Sequence, residues 1–233
     1  MYLKEVRLYS DEDVSNIPFS ETFHIQAEAI TDLFSSLLGK IRTENVSVIN
    51  INCAIKENME NPMIISTFLD VFIEYDVSEF NKLNEFEKEQ QLVRLLQNGL
   101  EKATGILALD KRIFEQVFKA MEERNFKNHF IWKKPKSSPD RKLRAYVEIN
   151  WGIEKTEAYI LIEDRKKQVK LKEKMVLKHP GRMGLDILGE LTWLNNDTVE
   201  LRHKYIKNEV HTFSISANEG YMVEAYRGEN LLK

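Results

Sequence analysis

Lysine recurs at every second position near residue 170, and that spacing is where chemistry is first suggested. Lys170, Lys172, Lys174 and Lys178 share one parity, and Val169, Leu171, Met175 and Leu177 take the other. Side chains alternate along a strand, so the pattern predicts one apolar and one cationic face. A turn at Arg165-Lys166 sets Ile162 opposite Val169 and Ile160 opposite Leu171, matching apolar with apolar. The same register places Tyr159 beside Lys172, Leu161 beside Lys170 and Glu157 beside Lys174. On the preceding strand Arg144 and Tyr146 have the outward parity. Just before it, Lys134, Lys136, Arg141 and Lys142 crowd a stretch rich in serine and proline. These ten residues (Lys170, Lys172, Lys174, Arg144, Tyr146, Tyr159, Lys134, Lys136, Arg141 and Lys142) make the candidate binding surface. Cations interleaved with tyrosines suit an acidic protein partner, or the phosphates and stacked bases of nucleic acid. The plainer alternative is a solvated strand whose edge lysines prevent aggregation.

Other chemistries find less support. His24, His129, His179, His203 and His211 are scattered. A two-residue turn at Lys207-Asn208 would pair Ile206 with Glu209, Lys204 with His211 and His203 with Thr212. His203 and His211 would then point to opposite sides and share no metal. Cys53 is the only cysteine, which excludes an intrachain disulfide and a cysteine-rich zinc site. It falls on the apolar parity of its segment, the pattern of a buried thiol rather than a nucleophile. No nucleophile elbow, phosphate loop or dinucleotide fingerprint is present. Gly181-Arg182-Met183-Gly184 matches the Gly-x-x-Gly clamp of KH domains, but it follows a strand and His179-Pro180 rather than joining two helices, so it reads as a turn. No catalytic residue, metal ligand or cofactor is assigned.

The elements that must carry these residues follow from periodicity. Apolar positions three and four apart predict helices over 20–39, 84–103 and 110–125. Ser20 is the expected N-cap of the first. Asn84 with Glu87 is a capping-box start for the second, whose face is Phe86, Val93, Leu96, Leu100 and Ala103, with Gly105 as terminator. Asp110 begins the third, Ile113, Phe114, Val117, Phe118 and Met121 form its stripe, and Asn125 ends it. Strands are expected at Tyr2–Tyr9, Val46–Lys56 and Thr67–Tyr75, the last two as a hairpin across the turn-rich Asn58–Pro62. A further strand is suggested at His129–Trp132. Setting one helix aside, that order fits a ferredoxin-like arrangement. Lys133 to Lys142 reads as a basic loop. From Leu143 to Ser216 alternation predicts an antiparallel meander of five to seven strands, including a hairpin of Val199–Ile206 with Val210–Ile215. The fold class is therefore α+β, with an α+β half over 1–132, a loop over 133–142 and a β half over 143–233, or one continuous domain.

Composition bounds the rest. The 233 residues are 42% hydrophobic and 30% charged, which argues against a wholly disordered chain. No apolar run is long enough to span a bilayer, and the N-terminus lacks the basic-then-apolar order of a signal peptide, so a cytoplasmic protein is expected. The net charge of −3 is uneven. Residues 1–125 hold 13 Lys+Arg against 22 Asp+Glu, net −9, and residues 126–233 hold 21 against 15, net +6. The expectation is a non-enzymatic binding protein of the inhibitor, immunity or adaptor kind, recognising an acidic protein through a polarised surface. A nucleic-acid-binding protein using the basic β face is the first alternative. An enzyme whose site is assembled from distant residues is the second.

Overall fold

The computed structural model describes residues 1–11, 22–175, 177 and 181–216. The chain is α+β and divides into two compact units. One holds Met1–His129 with Asn150–Thr156 and His179–Arg182, and the other holds Phe130–Ile149, Glu157–Lys178 and Met183–Lys233.

The first unit is built on a four-stranded sheet in the order β1-β2-β4-β3. The strands are β1 (Glu5–Ser10), β2 (Val48–Ala54), β3 (Met63–Ile65) and β4 (Phe68–Glu74). β1 and β4 both run parallel to β2. The expected hairpin between the second and third predicted strands does not form, and the ferredoxin-like arrangement goes with it. Alternation has the same period in parallel and antiparallel ladders, so it could not tell them apart. The hairpin lies one strand later, where β3 folds back on β4 with Ile65 opposite Phe68. Ser66-Thr67 is its two-residue turn, and Ser66 takes a positive φ of 57°.

Parity did choose the buried face. Val6, Ile49 and Leu69 are in register, as are Leu8, Ile51 and Val71, and all six are buried. Cys53 and Ile73 extend the same face. Three helices cover this unit's core: α1 (Phe23–Leu37), α3 (Glu85–Leu107) and α4 (Arg112–Glu122). The one-turn α2 (Val77–Phe80) precedes α3. Phe34 of α1 meets Phe114 and Phe118 of α4 at centroid distances of 5.9 and 5.1 Å. Gly99 lets α3 approach Ile51 closely, since a Cβ there would overlap its side chain.

Helix ends differ in instructive ways. Asn84 and Glu87 form the expected capping box, each accepting the other's backbone N–H at 3.0 Å. Gly105 does not end α3, which runs on to Leu107 and closes with Ala108 at φ 49°. Phe86, expected in the core, is 69% exposed, and Leu92 and Leu95 take buried positions instead. α4 begins at Arg112, after Asp110 accepts the Arg112 N–H, and the left-handed Asn125 is followed by a left-handed Phe126. Ser20, the expected cap of α1, lies outside the described residues. So do His179 and Lys178.

The second unit is an antiparallel meander in two sheets. β5 (Asn128–Ser137), β6 (Leu143–Trp151), β7 (Thr156–Asp164) and β8 (Val169–Met175) form one in sequential order. β9 (Leu188–Trp193), β10 (Thr198–His203) and β11 (Val210–Ser214) form the other. The predicted loop over 133–142 is mostly strand, because β5 continues through Pro135 to Ser137 and only 138–142 turns. Gly181-Arg182-Met183-Gly184 lies in a one-and-a-half-turn helix, α5 (Gly181–Asp186), rather than a simple turn. Arg182 is held there in an ion cluster, with Nη1 3.0 Å from Glu5, Nη2 3.4 Å from Asp32 and its N–H donating to Glu28.

Candidate binding surface

The β7–β8 ladder is shifted by two residues from the expected register. Ala158 lies opposite Met175, Tyr159 opposite Lys174, Leu161 opposite Lys172 and Ile162 opposite Leu171. A shift of two keeps parity, so the lysines still share a face. The shift arises at the turn. Asp164 and Gln168 close a three-residue loop in which Lys167 has φ 62°, and a bulge follows between Ile162 and Glu163. Val169, expected on the apolar side, is 53% exposed because the bulge pairs it with Glu163.

The predicted cationic face is charge-balanced. Lys172 bonds Glu148 at 2.9 Å, reaching across β7, and lies 4.8 Å from the Tyr159 ring centroid. Lys174 bonds Glu157 at 2.6 Å, and the Tyr159 hydroxyl donates to the same carboxylate. Lys170 meets Asp164 at 3.2 Å. Arg144 reaches Glu163 at 2.5 Å, and the Tyr146 hydroxyl donates to Glu163 at 3.2 Å. Burial first, and then Glu163, push the Tyr146 hydroxyl above its ordinary pKa. Among the described residues, the predicted face cations Arg144, Lys170, Lys172 and Lys174 therefore each have a carboxylate partner. Parity identified the lysines, but the acids that neutralise them sit on neighbouring strands and depend on register.

The predicted loop residues are placed differently. Lys134 and Lys136 are exposed on β5, and the Lys136 carbonyl accepts the Trp193 indole N–H at 2.9 Å. Arg141 and Lys142 sit at the β5–β6 turn. There the Ser138 carbonyl accepts the Arg141 N–H and Arg141 has φ 60°. Asp140 anchors this turn, accepting from Lys142 N–H at 3.1 Å and the Ser138 hydroxyl at 2.7 Å. Asp164 anchors the β7–β8 turn in the same way, accepting from the backbone of Lys166 and Gln168 at 2.8 and 3.0 Å. Those bonds hold both carboxyls below the ordinary aspartate value, with the Lys142 and the Gln168 backbone N–H the respective leading causes.

The two turns touch. Arg165 Nε donates to the Arg141 carbonyl at 2.9 Å. This joins Arg141, Lys142, Arg165, Lys166 and Lys167, all exposed, at one end of the sheet. From the sequence, Arg165 and Lys166 are expected only as a turn and Lys167 has no role, so none of the three stands among the expected site residues. The available signal was that the first and third turns of a four-stranded meander lie at the same end.

Sites for other chemistry are sparse. Among the described residues no group of three or more His, Cys, Asp and Glu is placed to hold a metal ion. The β10–β11 register differs from the expected one, with Leu201 opposite His211 and the His203 N–H bonded to the Glu209 carbonyl. His203 and His211 therefore share a parity, contrary to expectation, because the loop spans more than two residues. His203 Nδ1 is occupied as the acceptor for the Tyr205 and Ile206 N–H groups. Cys53 is fully buried, and burial pushes its thiol up to about 12. A groove of about 500 Å³ between α3 and α4 has Leu100, Phe114 and Phe118 beneath Glu and Lys side chains, and its lining holds no His, Cys, Ser, Asp or Tyr. Among the described residues no helix is long and apolar enough to cross a membrane. No protein-family model, no curated protein and no solved structure matches this chain.

Proposed function

We propose that this chain is a binding protein that recognises an acidic protein partner through a polarised charged surface and carries out no reaction of its own. The observation that supports the reading most directly is that charge polarity follows the compact units. The first unit holds 16 Lys+Arg against 23 Asp+Glu, net −7, and the second holds 18 against 14, net +4. Opposed fields on two units favour oriented encounter and discriminate among partners. A cytoplasmic setting fits the one cysteine, a deeply buried thiol. Nucleic-acid recognition by the β face is less well supported, because the Lys172 and Lys174 ammonium groups there already have carboxylate partners.

The test is affinity capture with the tagged chain at low and at high salt, with bound protein and bound nucleic acid both quantified. A protein partner released by salt is the expected result. Recovery of nucleic acid alone, or of nothing at low salt, would overturn the reading.

A further inference from the structure

The contact surface within that reading can be placed more narrowly. We propose that the paired hairpin tips of the second unit, Arg141 and Lys142 on one and Arg165, Lys166 and Lys167 on the other, bind a short acidic protein segment. The proposal rests on the protein-binding function above. Three observations carry it.

The first is charge. Five exposed cations gather at one sheet end, and the carboxylates built into the two turns are Asp140 and Asp164. Asp164 is also engaged by Lys170, and Asp140 by Lys142. Among the described residues Arg141, Arg165, Lys166 and Lys167 make no ion pair, in contrast to the Lys172–Glu148 and Lys174–Glu157 pairs on the sheet face.

The second is rigidity. Arg165 ties the tips together through the Arg141 carbonyl. The Asp140 and Asp164 carboxylates fix each turn from inside. The ammonium and guanidinium groups are thus presented from a braced scaffold, which lowers the ordering cost of binding.

The third is backbone conformation. Arg141 at φ 60° and Lys167 at φ 62° occupy the left-handed region. In the four-residue loop 139–142 and the three-residue loop 165–167, glycine or asparagine fits such a position with less strain. Both tips carry a long cation instead, at a conformational cost that the turns themselves do not require. The turns therefore do not need a cation at either position, and the charge is available to a partner.

The compact cluster suits a few carboxylates more than a nucleic-acid strand. Two adjacent hairpins span only about 10–15 Å at the ordinary spacing of strands. The tip residues 139–142 and 164–168 also include no aromatic side chain on which a base could stack.

The test compares the wild-type chain with the double variant Arg141→Gly/Lys167→Gly. Two fluorescent probes are titrated at low salt: a twelve-residue peptide of alternating Glu and Ser, and a twelve-nucleotide oligo-dT. Glycine relieves the positive φ, so the variant should unfold at an equal or higher urea concentration. It should bind the acidic peptide at least about tenfold more weakly. A control variant, Lys172→Gln/Lys174→Gln, likewise removes two positive charges, here from the paired face, and should lower peptide affinity by less than about threefold. A destabilised glycine variant, or one that retains wild-type affinity, overturns the proposal. So does a face variant that loses as much affinity, or wild-type chain that prefers oligo-dT. If affinity capture still yields a salt-released protein while the glycine variant captures it equally well, the tips are wrong and the broader reading stands. If capture yields no protein, the broader reading itself fails.

Discussion

Gly99→Ala tests how α3 is seated on the sheet. In an exposed helix interior this change stabilises by about 0.5–1 kcal/mol, because alanine restricts the unfolded chain and favours helix. At Gly99 the added Cβ would meet Cγ1, Cγ2 and Cδ1 of Ile51, all inside 3.0 Å. Ile51 is fully buried in β2 and flanked in register by Leu8 and Val71, so it has little room to move. Overpacking a core in this way costs about 1–3 kcal/mol. The cost exceeds the propensity gain, and a net loss of about 1–2 kcal/mol is expected. Ile51→Ala alone should cost about 2–5 kcal/mol through the cavity it leaves. In Gly99→Ala/Ile51→Ala the new methyl enters that cavity, so the double variant should be more stable than the sum of the singles by at least about 1 kcal/mol. Urea unfolding followed by far-ultraviolet circular dichroism measures all three. A stabilised Gly99→Ala, or strict additivity, would refute the close approach of α3 to β2.

Asn84→Ala removes one half of the α3 capping box and should cost about 1 kcal/mol, measured by the same urea titration; an unchanged midpoint would mean the cap contributes nothing. Arg144→Ala leaves the Glu163 carboxylate, on a residue 8% exposed, without its guanidinium, for a loss of about 1–2 kcal/mol after allowing for the half-exposed arginine. Adding Glu163→Gln should recover part of it, and no recovery would exclude the pair as the cause. Cys53, with its thiol at about 12, should resist a thiol reagent at pH 8 until urea unfolds the chain, and rapid labelling of folded protein would contradict the burial. Asp140 and Asp164 are held below the ordinary 3.8, so their contribution to the turns is complete above 3.8 and is lost as pH falls through the lower folded values. The amide resonances of Lys142 and Gln168 should therefore move only at pH below about 3.8, and a transition centred above it would reverse the sign.

Periodicity by itself determined much of this protein. Alternation at Val6 and Leu8, at Ile49, Ile51 and Cys53, and at Leu69, Val71 and Ile73 marked the buried face of the first sheet, because the side-chain direction of a strand is a local property. The capping box at Asn84 was legible for the same reason, since its two bonds close within four residues. What joins distant residues was not legible. Parallel and antiparallel partners present the same alternation, so local spacing does not show that β2 pairs with β4 in parallel while β3 takes the hairpin. Charge followed the same division. The lysine spacing showed which side chains share a face, but whether that face is cationic depends on Glu148, Glu157 and Glu163. Glu157 stands beside Lys174 in the expected register as well, but Glu148 reaches Lys172 from two strands away and Glu163 reaches Arg144 from the strand alongside, partners that local spacing does not show. Arg165 reaches the Arg141 carbonyl only because two hairpins lie side by side in one sheet. Local sequence fixes where a side chain points, whereas the charge it meets is set by strands that pair from far along the chain.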